Sequence, residues 1–241
     1  MIDIHCHILP GIDDGPSDIG ESLEMASIAV RNGITTLIAT PHVPYLSDVV
    51  CSPARIREGV ATLNRALKEE GIPLTVLPGA DVNILLPPAA MADYTLNGTG
   101  YLLIEFPHTH LPMNAKEVLF NIVLKGLRPI ITHPERNGSV IRNPELLMDL
   151  LNTTALVQIT AGSISGDFGP DVKACADYLL RKGVVSFIAT DGHAPDWRPP
   201  LLSDGLRAAA EIIGMDRARE MVTKNPEAVL AGRPLDVPSQ L

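Results

Sequence analysis

His5 and His7 stand two apart at the end of an apolar run that opens the chain, Met1-Ile2-Asp3-Ile4. Residues i and i+2 of a strand share a face, so both imidazoles would point one way and Cys6 the other. Similar residues recur wherever an apolar run stops. His42 follows Ala39-Thr40-Pro41, and Asp81 follows Pro78-Gly79-Ala80. Glu105 ends Leu103-Ile104, His133 follows Ile131-Thr132, and Asp191 and His193 follow Ala189-Thr190. A charge buried at such a place is costly unless it is paired or bound to metal. One histidine at a strand end is more often a hydrogen-bonded residue than a ligand. Ligand types at six of seven strand ends are hard to explain by core packing, and the expectation is a metal centre. Imidazole and carboxylate donors without thiolate suit manganese, iron or zinc. They outnumber what one ion can use, so a centre of two or three ions follows.

The elements that must position these residues read as strands at roughly 1–6, 34–40, 74–80, 101–106, 128–132, 156–160 and 185–190. Amphipathic segments separate most of them. Four end in Gly followed at once by a β-branched or aliphatic run, at Gly33, Gly71, Gly126 and Gly183, as helices closed by a left-handed residue do. Helix starts agree. Asp18 with Glu21 forms a capping box ahead of Leu23, Ala26 and Val30. Ser52-Pro53 caps a helix with Ile56, Val60, Leu63 and Leu67 on one face. In 172–182, Val172, Ala176 and Leu179 face inward. The tail from about 201 to 241 reads as helical, with a cap at Asn225-Pro226. Strands alternating with helices mean a parallel α/β sheet, as a barrel or doubly wound. In such folds the carboxyl ends of the strands form the active face. No linker or charge block interrupts the chain, so residues 1–241 read as a single domain.

Composition narrows the function. With 46% hydrophobic and 20% charged residues the chain is an ordinary globular protein. A net charge of -9 argues against nucleic acid held by a basic surface. It says less about small anions, because bound dications would reverse the field locally. Three widely spaced cysteines, Cys6, Cys51 and Cys175, fit reduced thiols. No leader and no membrane-length apolar run stands in the sequence. The expectation is a cytoplasmic protein, not embedded in a membrane.

Two other patterns compete for attention. Cys51 to Arg57 and Cys175 to Arg181 both have the Cys-x5-Arg spacing of thiolate phosphatases. The first stretch lacks the glycines that expose amides to phosphate, and the second lies inside an expected helix whose amides are already used. His108 and His110 form another His-x-His, but prolines bracket them beyond the strand. They read as a rim loop lining the substrate entrance.

The motifs resemble the polymerase-and-histidinol-phosphatase (PHP) superfamily, and within it the bacterial manganese-dependent tyrosine phosphatases of capsule and exopolysaccharide synthesis. The resemblance rests on Met1-Ile2-Asp3-Ile4-His5-Cys6-His7-Ile8, Asp13-Asp14-Gly15-Pro16, Ala39-Thr40-Pro41-His42 and Ile104-Glu105-Phe106. It continues in His133-Pro134-Glu135-Arg136, Asp191-Gly192-His193 and Arg198-Pro199-Pro200. The resemblance implies a distorted barrel of seven β/α units holding three divalent metal ions, manganese first, with iron or zinc as alternatives. It implies that His5, His7 and Asp191 hold one ion, Glu105 and His133 a second, and Asp14, His42 and His193 a third. Asp81 would bridge the first two, Arg136 and Arg198 would bind the phosphoryl group, and Asp13 would stand behind the ligands. Two departures bear on substrate and metal. The bridging position is normally Glu, one methylene longer than Asp81. The usual His-rich stretch after the second strand is replaced by Val43-Pro44-Tyr45-Leu46.

The resemblance implies a phosphoesterase in which a dication pair ionises water near neutral pH. Its substrate would be a phosphotyrosine protein, the tail of a polysaccharide-synthesis tyrosine kinase, and a homo-oligomer is compatible with it. Three readings compete: a phosphatase of small esters such as histidinol phosphate or a sugar phosphate, a non-catalytic metal-binding module, and a metal-dependent amidohydrolase. The two arginines favour phosphate over a neutral amide.

Overall fold

The computed structural model describes residues 1–43 and 51–235. Pro44-Tyr45-Leu46 and the last six residues of the expected helical tail lie outside them. The chain runs β1 (Ile2–Cys6), α1 (Ile19–Arg31), β2 (Thr36–Ala39), β3 (His42–Val43), α2 (Pro53–Glu69), β4 (Thr75–Pro78), β5 (Asp81–Asn83) and α3 (Pro88–Met91). It continues with β6 (Tyr101–Glu105), α4 (Ala115–Leu124), β7 (Arg128–Thr132), α5 (Gly138–Arg142), α6 (Glu145–Leu151), β8 (Leu156–Thr160) and α7 (Ala161–Ser165). Then come α8 (Pro170–Lys182), β9 (Phe187–Ala189), α9 (Ser203–Ile213), α10 (Met215–Glu220) and α11 (Lys224–Leu230). No helix of the described residues is long and apolar enough to cross a membrane.

Every strand pairing is parallel. One sheet has the order β1-β2-β4, the other β3-β5-β6-β7-β8-β9. The second and third expected strands, seen as β2 and β4, are each followed by a further short strand, β3 after a break at Thr40-Pro41 and β5 after a break at Gly79-Ala80. Proline has no N–H to give a ladder, and glycine lacks a side chain to pack. The Asp81 amide donates to the Pro41 carbonyl at 3.1 Å, which carries the run across both breaks. Hydrogen bonds also join β1 to the end of β9. The Asp191 amide donates to His5 O and the His7 amide to Gly192 O, both at 2.8 Å.

The strands bury both faces, which is why their sequences are nearly continuous apolar runs. Leu37, Leu102, Ile104, Ile131, Val157, Ile159 and Ile188 pack with the helices. The alternate positions, Ile38, Tyr101, Leu103, Ile130, Leu156 and Phe187, form a second cluster with Ile4, Leu96 and Val229.

Most of the expected local signals hold. The Glu21 amide donates to Asp18 Oδ1 at 3.1 Å, although the returning bond reaches the Ser17 amide. Ser52 Oγ caps α2, which buries Ile56, Val60, Leu63 and Leu67. Gly33, Gly71, Gly126 and Gly183 all have positive φ. Asn225 does not cap its helix, because α11 starts earlier, after Thr223. The Asn225 amide instead donates to Ser186 O at 2.7 Å, tying the last helix to the entry of β9.

Candidate metal centre

Strand register sets the first neighbours. His42 stands opposite Asp81 on adjacent strands, and Asn83 opposite Glu105. On β1, Asp3 to Cys6 covers the span that Leu37 to Ala39 covers on β2. That extra residue is a bulge, the device that re-aims side chains beside active sites. Ile4 joins the inner cluster while His5 and His7 both face the site and Cys6 turns away, its thiol donating to Gly192 O.

All nine expected ligands come together. His5 Nε2 and His7 Nε2 face each other at 3.1 Å, and Asp191 Oδ1 lies 3.4 and 3.3 Å from them. Asp81 Oδ2 is central, at 3.6 Å from His5 Nε2 and His42 Nδ1 and 3.9 Å from His133 Nε2. Glu105 lies 3.7 Å from His133 Nε2 and 3.3 Å from His42 Nδ1. Asp14, carried by the loop after β1, reaches His193 Nε2 at 3.4 Å and His42 Nε2 at 3.7 Å. Four sets of donor atoms converge within 4.8 Å: His7, Asp14, His42 and His193; His5, His7 and Asp81; His5, His133 and Asp191; His42, Asp81 and Glu105. His42 Nδ1 and Asp81 Oδ2 are buried without a hydrogen-bond partner. Such atoms are costly in a folded protein and fit donors that coordinate a cation.

The imidazoles are oriented from behind, as metal-ligating histidines are. His5 Nδ1 pairs with Gln158 Oε1 at 2.9 Å, His7 Nδ1 with Asp13 Oδ2 at 2.7 Å, and His193 Nδ1 with Asp191 O at 2.8 Å. A ring that donates from Nδ1 presents the Nε2 lone pair to the site. Asp13 also accepts from the amides of His42 and Gly15. Gly15 has a steric reason: a Cβ there would meet His7 O at 2.2 Å. His133 (φ 32°) and Asp191 (φ 52°) are left-handed without being glycine. Backbone strain of this kind collects at functional sites.

Electrostatics favour a cation. Burial, with neighbouring histidines or arginine, pushes the pKa values of His5 and His133 well below the usual range. Burial, against the pull of Asp13, brings His7 down to about 3. These rings are neutral and their lone pairs available. Burial and the Glu105 charge raise the Asp81 carboxyl well above its usual value. Burial works against charging His42, yet Glu105, Asp81 and Asp14 raise its pKa to about 9.

Two arginines complete the site. Arg136 follows the turn after β7, and the fully buried Glu135 anchors that turn by accepting from the Thr160 amide and Ser163 Oγ. Arg198 returns over the site because His193 and Ala194 both donate to its carbonyl. Arg136 donates to Asp191 Oδ2 at 2.5 Å, and Arg198 donates to the same oxygen. Arg198 Nε is buried without a partner. Neither arginine is a surface ion pair.

His108 stands at the rim as expected, half exposed, 3.8 Å from Glu105 and stacked on the His133 ring. His110 is exposed and bonded to Thr109. Burial pushes Cys51 and Cys175 up to about 12, so neither thiol is poised as a thiolate nucleophile. Sequence reasoning missed Gln158, whose signal was a lone amide within Leu156-Val157-Gln158-Ile159-Thr160. It also missed Phe168, whose ring lies 4.5 Å from the Arg136 guanidinium carbon and which carried no signal.

This arrangement defines a class: parallel α/β proteins with a histidine–carboxylate site able to hold divalent metal. The chain belongs to one family within it, because residues 1–231 match the family model for capsular polysaccharide synthesis, CpsB/CapC. The tyrosine-protein phosphatase YwqE of Bacillus subtilis is 42% identical over 235 residues, covering 95% of this chain and 91% of that one. The tyrosine-protein phosphatase CpsB of Streptococcus pneumoniae is 28% identical, covering 95% and 98%. Crystallographic work on YwqE and CpsB as unique metal-dependent tyrosine phosphatases supplies a structure with TM-score 0.89 and 39% identity, covering 98% of this chain and 96% of that one. An organophosphorus hydrolase from Deinococcus radiodurans shares the fold alone, with TM-score 0.62 and 16% identity over 95% of this chain and 91% of that one.

Proposed function

We propose that the protein is a metal-dependent protein-tyrosine phosphatase acting in the control of capsular or exopolysaccharide synthesis. The observation that carries this reading is the convergence of two guanidinium groups on Asp191, whose other oxygen faces His5 and His7. Two arginine forks suit the oxygens of a phosphate better than a neutral amide. The CpsB/CapC relationship supports the same substrate class.

The single domain would be a distorted barrel of seven β/α units, with β2–β3 and β4–β5 each counting as one strand. Three divalent ions, manganese first with iron or zinc as alternatives, would be held by His5, His7, Asp14, His42, Asp81, Glu105, His133, Asp191 and His193. When bound they supply water ionised near neutral pH and positive charge against phosphoryl oxygens. Arg136 and Arg198 offer planar forks that match those oxygens and offset charge in a loose transition state. Arg198 Nε is a donor with no other partner to give up. Gln158 and Asp13 hold their imidazoles in one tautomer. A tyrosine leaving group, with a phenol pKa of about 10, needs no strong general acid. The protein would act in the cytoplasm, and its physiological substrate would be the tail of a polysaccharide-synthesis tyrosine kinase.

The test compares kcat/KM for phosphotyrosine peptides with phosphoserine peptides, histidinol phosphate and sugar phosphates. Preference for phosphotyrosine supports the reading. Preference for a small ester would replace it.

A further inference from the structure

The two arginines assigned to phosphate share a seat. The Arg136 guanidinium carbon lies 4.5 Å from the centre of the Phe168 ring, and that of Arg198 lies 5.4 Å from it. Two guanidinium charges this close repel each other. Two things hold them here: Asp191 Oδ2, which accepts from both, and the negative face of one aromatic ring. The Asp191 carboxylate is also shared with His5 and His7, which leaves Phe168 as the partner given to the arginines alone.

The ring is itself fixed. It lies against Gly162, where a Cβ would meet Phe168 Cε2 at 3.1 Å and Asp167 Oδ2 at 2.9 Å. The turn that carries it has glycine at both ends in the left-handed region, Gly166 at φ 102° and Gly169 at φ 90°, which other residues rarely adopt. Beyond the ring, Phe168, Trp197, Arg198, Pro199 and Leu201 line a cavity of about 220 Å³.

We propose that Phe168 is a positioning residue for phosphate recognition: it seats Arg136 and Arg198 on one aromatic face so that both forks stay aimed at a single anion. This deepens the phosphatase reading and rests on it. A purely apolar packing role would be met equally well by leucine.

The test uses orthophosphate binding to the manganese-loaded protein, measured by calorimetry and by the fluorescence of Trp197, the only tryptophan. Phe168→Leu should weaken phosphate binding about tenfold and raise KM for a phosphotyrosine peptide with it, leaving manganese content and melting temperature unchanged. Phe168→Tyr, which keeps the aromatic face, should restore binding. In an Arg136→Ala, Arg198→Ala background the effect of Phe168→Leu should vanish. If Phe168→Leu does not fold, Phe168→Met takes its place with the same expectations. Phosphate binding that Leu leaves intact, that Tyr fails to restore, or that falls equally without the arginines overturns the proposal. Turnover of phosphotyrosine by the native protein with no effect of Leu sinks the positioning role and leaves the phosphatase reading standing. Phosphate binding without any turnover sinks the phosphatase reading, and the Leu and Tyr comparison still decides the role of Phe168. A native protein that binds no orthophosphate overturns both.

Discussion

Asp191 and Arg136 are joined by a 2.5 Å hydrogen bond through the carboxylate oxygen that faces away from the histidines. The other oxygen lies 3.3 Å from His7 Nε2. One side chain thus links the histidine cluster to the two arginines. Arg136→Lys keeps the charge but loses the planar fork, and at a bidentate site that exchange is not conservative. Both Arg136→Lys and Arg136→Ala should lower kcat/KM by about a hundredfold or more, measured on a phosphotyrosine peptide with metal content checked in parallel. Full activity in the lysine variant would show that the fork is not used.

Gln158 Oε1 lies 2.9 Å from His5 Nδ1, where accepting a hydrogen bond would hold the ring with Nε2 free for the site. Gln158→Leu should weaken manganese binding by about tenfold to a hundredfold, read by competition with a chelating dye. The packing role of the side chain is checked by the melting temperature. Unchanged metal affinity would mean that the ring orients without it.

The loop that delivers Asp14 passes so close to His7 that only glycine fits at position 15. Gly15→Ala should move Asp13 and Asp14 together, lowering both metal content and activity, while Gly71→Ala, where a Cβ meets no neighbouring atom but φ is 68°, should affect stability alone. Metal analysis of the two variants separates the outcomes.

His42 carries the pH prediction. Its pKa rises from 6.5 to about 9 despite burial because Glu105, Asp81 and Asp14 surround it. Between these values the metal-free folded protein keeps a proton that the unfolded chain has lost. This stabilisation is therefore complete below pH 6.5 and is lost as pH rises through about 9. A dication taking the same nitrogen displaces the proton. Manganese binding at pH 7.5 should release protons, seen by calorimetry in two buffers of different ionisation enthalpy. His42→Asn should reduce the release. Equal heats in both buffers would contradict the assignment.

Most strands, their parallel pairing and eight of the nine candidate ligands were legible in the sequence pattern, because each strand announces itself by an apolar run and these residues stand where a run ends; Asp14, in the loop after β1, came only from the resemblance. Less legible were features made by chain segments far apart. The break in the third strand at Gly79-Ala80 depends on what lies against it: a Cβ at Gly79 would meet Ile38 at 2.7 Å and Leu96 at 2.8 Å. Asn225 looked like a cap from local spacing, but its amide serves Ser186, which is remote in sequence. Phe168 lies in a glycine turn, and its partners Arg136 and Arg198 come from segments remote in sequence. Conversely, the two Cys-x5-Arg stretches matched a motif by spacing alone, and burial of both thiols disposes of them.

The central claim is tested most directly by hydrolysis of a phosphotyrosine peptide with metal-stripped protein, with and without added manganese, alongside Arg136→Ala. The site described here predicts no turnover without metal, turnover restored by manganese, and little restoration in the Arg136→Ala variant. Turnover that persists in the stripped protein, or a native protein that binds manganese and hydrolyses nothing, would contradict it.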